Sequence, residues 1–240
     1  MNKAITEIVG FDLGHGESAI TRVHVEGHEP PEHLEINGQR NQITAVARHP
    51  QHGILVGERA LLDPGVSDRQ ICFKGDPCGR KGESPAQIVK RNEAVGEFAR
   101  ACHAQIASRL KEPGSTIYYV GCPSGWSKQS RSVYERLLEA AGLTPVKVVS
   151  ESRGAFLHAL ESRKITLEET RHCVVIIDIG SSTTDFTVLN HLEEEVTDGE
   201  GIVTSGAPTS LIVSVGGSQP TIAVHNAIRL SANQRIGNSS

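Results

Sequence analysis

The stretch Phe11-Asp-Leu-Gly-His-Gly-Glu-Ser18 returns in kind, far along the chain, as Ile177-Asp-Ile-Gly-Ser-Ser-Thr-Thr-Asp185. Each is an apolar run, then an aspartate, an aliphatic residue, a glycine and small polar residues, with a second apolar run behind it. An apolar run that breaks at Asp-x-Gly is a strand entering a turn. Two such strand-turn-strand units describe an internal duplication, which sets the two turns face to face. A turn of this form can do two jobs. Its glycine lets backbone amides approach an anionic group with no Cβ in the way. Its aspartate can hold the water shell of Mg2+, an ion that favours carboxylates together with phosphate oxygens. One Asp-x-Gly alone is also an ordinary hairpin turn. The pair, each behind an apolar strand, points to a phosphate-binding cleft.

The rest of the chain supplies an α/β frame for these turns. Glu7 to Asp12 reads as the strand entering the first turn, and Ala19 to Val25 as its return. Ile43 to Arg48 and Ile54 to Gly57 read as a second hairpin, turning at His49 to Gly53. Leu62 to Glu83, rich in Gly, Pro, Asp and Lys, reads as a surface loop. Ser84 then opens a helix, with Pro85 at its first position and Gln87 completing a capping box. Ile88, Val95, Phe98, Cys102, Ile106 and Leu110 follow at helical spacing, and Pro113-Gly114 is the stop signal. Thr116 to Gly121 is a predicted strand. Ser127 caps a helix with the apolar face Val133, Leu137, Leu138 and Ala141, ended by Gly142. Val146 to Val149 is a strand and Arg153 to Leu160 a short helix. Cys173 to Asp178 is a continuous apolar run, as a central strand buried on both faces requires. Phe186 to Leu189 is its hairpin partner. The pattern weakens after Glu195, and Ser231 to Ser240 is a polar, frayed tail.

Composition narrows the function. The chain has 240 residues and a formal charge of -4, which argues against a dedicated nucleic-acid or membrane binder. No apolar run is long enough to span a bilayer, and residues 1–10 lack a signal-peptide pattern. The cysteines are Cys72, Cys78, Cys102, Cys122 and Cys173. Their odd number and their spacing match no zinc pattern and read as thiols of a reducing cytoplasm. The 11 histidines show no paired metal-ligand spacing.

The middle of the chain carries a resemblance. Tyr118-Tyr-Val-Gly-Cys-Pro-Ser-Gly-Trp-Ser-Lys-Gln-Ser-Arg131 is similar to a segment of the seventy-kilodalton heat-shock chaperones that reads valine-proline-alanine, an aromatic, and a polar run ending in arginine. Ala140-Ala-Gly-Leu-Thr-Pro-Val-Lys-Val-Val-Ser-Glu151 resembles their alanine-glycine-leucine segment leading to a glutamate. The likeness covers roughly residues 7–190. It implies an actin-like ATPase fold of the ribonuclease-H-like kind. It further implies binding of ATP or ADP with Mg2+, slow hydrolysis, and protein partners of the co-chaperone or client type. Carried over residue by residue, it makes Asp12 and Asp178 the aspartates that hold Mg2+ through water. It makes Gly14, His15 and Gly16, with Gly180, Ser181, Ser182 and Thr183, the two phosphate loops. Lys74, Glu151 and Asp185 become the catalytic lysine and the two carboxylates near the attacking water. Pro123 and Arg131 become the pair that relays nucleotide state. Read singly, Lys74 is equally a solvated loop lysine, Glu151 a helix-start carboxylate favoured by the dipole, and Pro123 and Arg131 a loop proline and a solvated helix arginine.

Departures from that family mark a divergent relative. His15 and Gly16 stand where the chaperones carry two threonines, Ser181 and Ser182 where they carry glycines, and Ser152-Arg153 where they carry proline and threonine. Only 55 residues follow Asp185. Val213-Ser-Val-Gly-Gly-Ser-Gln-Pro220 reads either as the adenosine motif, with a subdomain missing before it, or as a turn between a strand and a tail helix. The expected architecture is a first lobe over residues 1–165, with a small inserted subdomain near 35–85. An incomplete second lobe spans 170–230 and a flexible tail 231–240. Phosphoryl transfer to water needs positioning and charge neutralisation more than covalent chemistry, and the residue types for it are present. The rival readings are a truncated, non-catalytic nucleotide-binding or protein-interaction module, and a small-molecule kinase of the same superfamily.

Overall fold

The computed structural model describes residues 4–27, 29–111, 114–171, 174–181, 184–189, 194–197 and 200–204. The first seven-residue apolar strand, β1 (Glu7–Leu13), is the spine of the main sheet. It pairs antiparallel with its own return strand, β2 (Glu17–His24), as the hairpin reading requires. Short β3 (Glu32–His33) and β4 (Asn41–Ile43) both pair with β2 and end the sheet on that side. A separate three-stranded sheet follows, made of β5 (Ala45–His49), β6 (Gly53–Val56) and β7 (Ser67–Ile71), with β5 in the middle. The helical turn α1 (Glu58–Leu62) packs against it. Residues 62–83 are therefore not loop throughout. Strand β7 pairs with β5 despite its polar sequence, Ser-Asp-Arg-Gln-Ile, because an edge strand needs only backbone partners and leaves its side chains in water.

Helix α2 (Pro85–Ile106) begins with the predicted capping box at Ser84 and Gln87. Its buried stripe is Ala94, Val95, Phe98, Ala99, Cys102 and Ile106. It ends before the expected Pro-Gly stop, giving way at Ala107 to a short 3-10 turn. There the Arg22 guanidinium donates to the Arg109 carbonyl and holds the chain out of helical register. The parallel strands β8 (Thr116–Cys122) and β9 (Val146–Ser150) complete the main sheet in the order β3-β2-β1-β8-β9. Between them lies α3 (Lys128–Ala140), capped by Ser127. Its buried face is Ser130, Tyr134 and Leu138, continuing to Ala141. The predicted Val133 and Leu137 flank that face half-buried, because Tyr134 takes the central position. The core between sheet and helices is one cluster that includes Phe11, Phe73, Phe98, Trp126, Tyr134 and Leu138. One acid is buried at the opposite end of β1. Glu7 is fully buried and tolerated because it accepts hydrogen bonds from Thr116 Oγ1 at 2.8 Å and the Lys111 amide at 3.1 Å.

The chain then crosses through α4 (Glu151–Glu161) to a two-stranded hairpin, β10 (Val174–Ile179) and β11 (Thr184–Leu189). Helix α4 starts two residues before the predicted Arg153, because Ser150 serves as its N-cap. The expectation that the apolar run to Asp178 is buried on both faces fails. Val175 is 52% and Ile177 55% exposed, while Val174, Ile176 and Asp178 are half-buried. Among the described residues β10 pairs only with β11, and only one of its faces has α4 to pack against. A further hairpin, β12 (Glu194–Thr197) and β13 (Glu200–Thr204), closes the described chain. The expectations for Cys173, for Val213 to Pro220 and for the tail from Ser231 lie outside the described residues. Among those described, Cys72 and Cys78 are exposed and free, Cys102 and Cys122 buried and free, and no helix is long and apolar enough to cross a membrane.

Candidate functional site

Strands β1, β8 and β9 run parallel and end at the same edge of the sheet. In an open α/β sheet that edge is where ligands bind. It delivers Asp12 from β1, Pro123 and Ser124 from the end of β8, and Glu151 from the junction of β9 and α4.

Lys74 arrives from the other sheet. Past the end of β7, Cys72 takes a positive φ of 54°, turning the chain inward. Phe73 then plugs into the core against Phe98, with ring centroids 5.6 Å apart, and Phe98 in turn packs against Phe11 at 6.4 Å. This aromatic row runs from the Lys74 segment to the strand that carries Asp12. Lys74 is therefore 9% exposed rather than solvated, and its ammonium donates to the Glu151 carboxylate. The carbonyl of Lys74 accepts a hydrogen bond from His15 Nδ1 at 2.9 Å, which ties the lysine segment to the first turn.

The two Asp-Gly turns meet. A Cβ added at Gly16 would lie 2.5 Å from Ser181 Oγ and 2.7 Å from Ser181 Cβ, a distance no side chain tolerates. Gly14 is equally constrained within its own turn, where a Cβ would lie 2.1 Å from the Glu17 carbonyl oxygen. Gly180 lies between Asp178 and Ser181 on the facing turn. Ser182 and Thr183 lie outside the described residues.

Electrostatics bind the cluster together. Burial, with Glu151 and Asp178 adding repulsion and Lys74 opposing, raises the Asp12 carboxyl to about 7. Burial, then Glu151 and Asp185, raises Asp178 to about 6. Asp185 is also raised, by burial and then Glu151, against the pull of Lys74 and Arg80. For Lys74 burial works to lower the pKa, but Glu151 first, then Tyr134 and Asp12, lift it above the ordinary lysine value. The structure thus brings Asp12, Lys74, Glu151, Asp178 and Asp185 within one another's fields. Four carboxylates facing one ammonium leave the cleft with surplus negative charge. That donor set suits a hard divalent cation such as Mg2+. Among the described residues no three His, Cys, Asp or Glu side chains converge as direct metal ligands.

Arg131 does not point into solvent. Its guanidinium donates to the Ser124 carbonyl at 3.0 Å, bracing the turn that follows Pro123. Three features escaped sequence reasoning. Ser124, Ser150 and Ser152 form a hydroxyl cluster, with Ser150 Oγ 2.8 Å from Ser124 Oγ and 2.7 Å from Ser152 Oγ. Thr187 of β11 donates to Ser124 Oγ at 3.3 Å, which joins the second hairpin to the main sheet. Tyr134 lies beneath Lys74 and Glu151. A periodicity count that treats tyrosine as apolar would have placed it on the buried face of α3, and nothing in the sequence marks the serines as neighbours.

No protein-family model matches the sequence, and no curated protein matches it. Solved structures do match in shape. The crystal structure of MreB5 of Spiroplasma citri bound to ADP superposes with a TM-score of 0.54 at 16% sequence identity. The match covers 88% of this chain and 52% of that one, so the chain spans about half the length of that protein. The chain therefore shares the actin-like fold of that structure, a mixed α/β architecture.

Proposed function

We propose that this chain binds Mg2+-ATP between its two Asp-Gly turns and hydrolyses it slowly. The observation that supports this most is the convergence of Asp12, Lys74, Glu151, Asp178 and Asp185 on one cleft rimmed by both turns. MreB5, whose structure contains ADP, has the same fold. In this reading the amides of Gly14, His15 and Gly16 cradle the phosphates from one side, and those of Gly180, Ser181, Ser182 and Thr183 from the other. The Lys74 ammonium neutralises charge on the terminal phosphate. Glu151 and Asp185 orient the attacking water, which forms the new P–O bond as the bond to ADP breaks. Asp12 and Asp178 would hold Mg2+ through water, and the ion would supply further neutralisation of phosphate charge. The segments Tyr118 to Arg131 and Ala140 to Glu151 support a heat-shock-chaperone-like ATPase, with protein partners of the co-chaperone or client type.

One observation favours a second reading, a nucleotide-binding module without turnover. His15 replaces a threonine hydroxyl, and its ring donates to the Lys74 carbonyl instead of facing the cleft. Titration calorimetry with ATP, with and without Mg2+, combined with phosphate release, separates the possibilities. Heat with Mg2+ and slow phosphate release supports the ATPase, and heat without release supports the module. Phosphate transfer only when an alcohol acceptor is present supports a small-molecule kinase. No heat at high micromolar protein and ligand would sink the nucleotide reading.

A further inference from the structure

Among the described residues the Tyr134 hydroxyl has no hydrogen-bond partner, although the residue is only 1% exposed. The ring is fixed edge-on against Trp126, with centroids 5.1 Å apart and planes at 85°. Tyr134 therefore cannot turn its hydroxyl out to water, and a buried hydroxyl left unpaired is destabilising. The hydroxyl lies within electrostatic reach of the Lys74 ammonium and the Glu151 carboxylate, and then of Asp12. Cys122 is a buried thiol and a poor acceptor. A buried, unpaired donor on a fixed ring thus lies within the field of a carboxylate, Glu151, that is held by the Lys74 ammonium.

An anionic ligand in the cleft competes for that same ammonium. As Lys74 turns its charge to the ligand, Glu151 loses its donor while remaining among Asp12, Asp178 and Asp185. A partly buried carboxylate in that position needs another donor. We propose that Tyr134 is a positioning residue that takes over as hydrogen-bond donor to Glu151 when Lys74 engages the nucleotide, a role that rests on the ATPase reading above. The hydroxyl that is unpaired while Lys74 holds Glu151 becomes a paired one once Lys74 engages the ligand. Part of the cost of parting Lys74 from Glu151 is thereby offset, and Glu151 keeps the orientation it needs toward water.

The test is Tyr134→Phe, which removes the hydroxyl and keeps the ring. In the nucleotide-free protein the melting temperature should stay unchanged or rise, because no hydrogen bond is lost. With Mg2+-ATP, kcat should fall by about tenfold, the scale of one hydrogen bond to a charged group, with KM little changed. In a Glu151→Gln background the same substitution should cost nothing further. A fall in melting temperature without nucleotide would show that the hydroxyl is already paired and structural, which overturns the proposal. Equal kcat in wild type and variant, or full additivity with Glu151→Gln, also overturns it and leaves the ATPase reading standing. Wild-type protein that neither binds nor hydrolyses ATP would instead remove that reading, and the role of Tyr134 with it.

Discussion

Lys74 shows how a single position acquires meaning from its surroundings. Its charge is kept because Glu151 pairs with it, and its place is kept because Phe73 anchors the chain beside it. Lys74→Ala should lower any ATPase rate by at least about tenfold, roughly 1.4 kcal/mol of barrier. The rate should be measured well below the melting temperature, because the variant also leaves Glu151 unpaired. Full activity in Lys74→Ala would remove the lysine from the mechanism. The carboxylates make a separate prediction about pH. In the folded protein Asp12 titrates at about 7 and Asp178 at about 6, against an ordinary value of 3.8. The folded state therefore holds these protons more tightly than the unfolded state. The stability they contribute is complete below about pH 4 and is lost as pH rises through about 6 to 7. Half-buried His103 and His158, whose pKa values are lowered by desolvation, work in the opposite sense. The diagnostic quantity is thus the difference between variants. The melting temperature of Asp12→Asn minus that of wild type should grow from pH 5 to pH 8, and a constant difference would show Asp12 to be an ordinary carboxylate. Sequence reasoning reached Asp12 and Asp178 through the repeated Asp-Gly turns, and Lys74, Glu151 and Asp185 through the resemblance to the chaperone family. It missed Tyr134 because a tyrosine on a helix reads as packing until its hydroxyl is seen to be unpaired.

At the scale of elements, α2 sustains both the fold and the site. Phe98, fully buried, touches Phe11 on the strand carrying Asp12 and Phe73 beside Lys74. Phe98→Ala should cost about 3–5 kcal/mol of stability in denaturant unfolding, with loss of any nucleotide binding under conditions where the variant is still folded. A cost below about 1 kcal/mol would mean that the aromatic row is not the support described above. The hairpin of β10 and β11 makes a contrasting case. With Val175, Ile177 and Ile179 about half exposed, its amides should exchange faster with solvent than those of β8. Equal protection in the two strands would show that the exposed face is covered in solution. Elements with internal signals were legible from sequence: Ser84 with Gln87, Ser127, and the two apolar runs of β5 and β6 about the turn at His49 to Gly53. Strand β7 was not, because an edge strand of polar residues leaves no periodicity to read. The surroundings of β10 were not legible either, since an apolar run states what a strand prefers and not how many neighbours it finds.

For the molecule as a whole, the main sheet and the second hairpin are joined where the chemistry is proposed to occur. Thr187 reaches Ser124, and Ser124 meets the serines on either side of Glu151. The two turns also meet closely, where Gly16 and Ser181 leave no room for a methyl group. On the proposed reading a phosphate chain needs several ångströms between the turns that cradle it, so this contact is a door that must open before a nucleotide enters. Entry should then wait on an opening step whose rate is indifferent to ligand. In stopped-flow mixing, the observed association rate should climb with nucleotide concentration and then level off at that opening rate. Replacing Gly16 with alanine should wedge the door ajar, raise the plateau, and weaken the grip on whatever has entered.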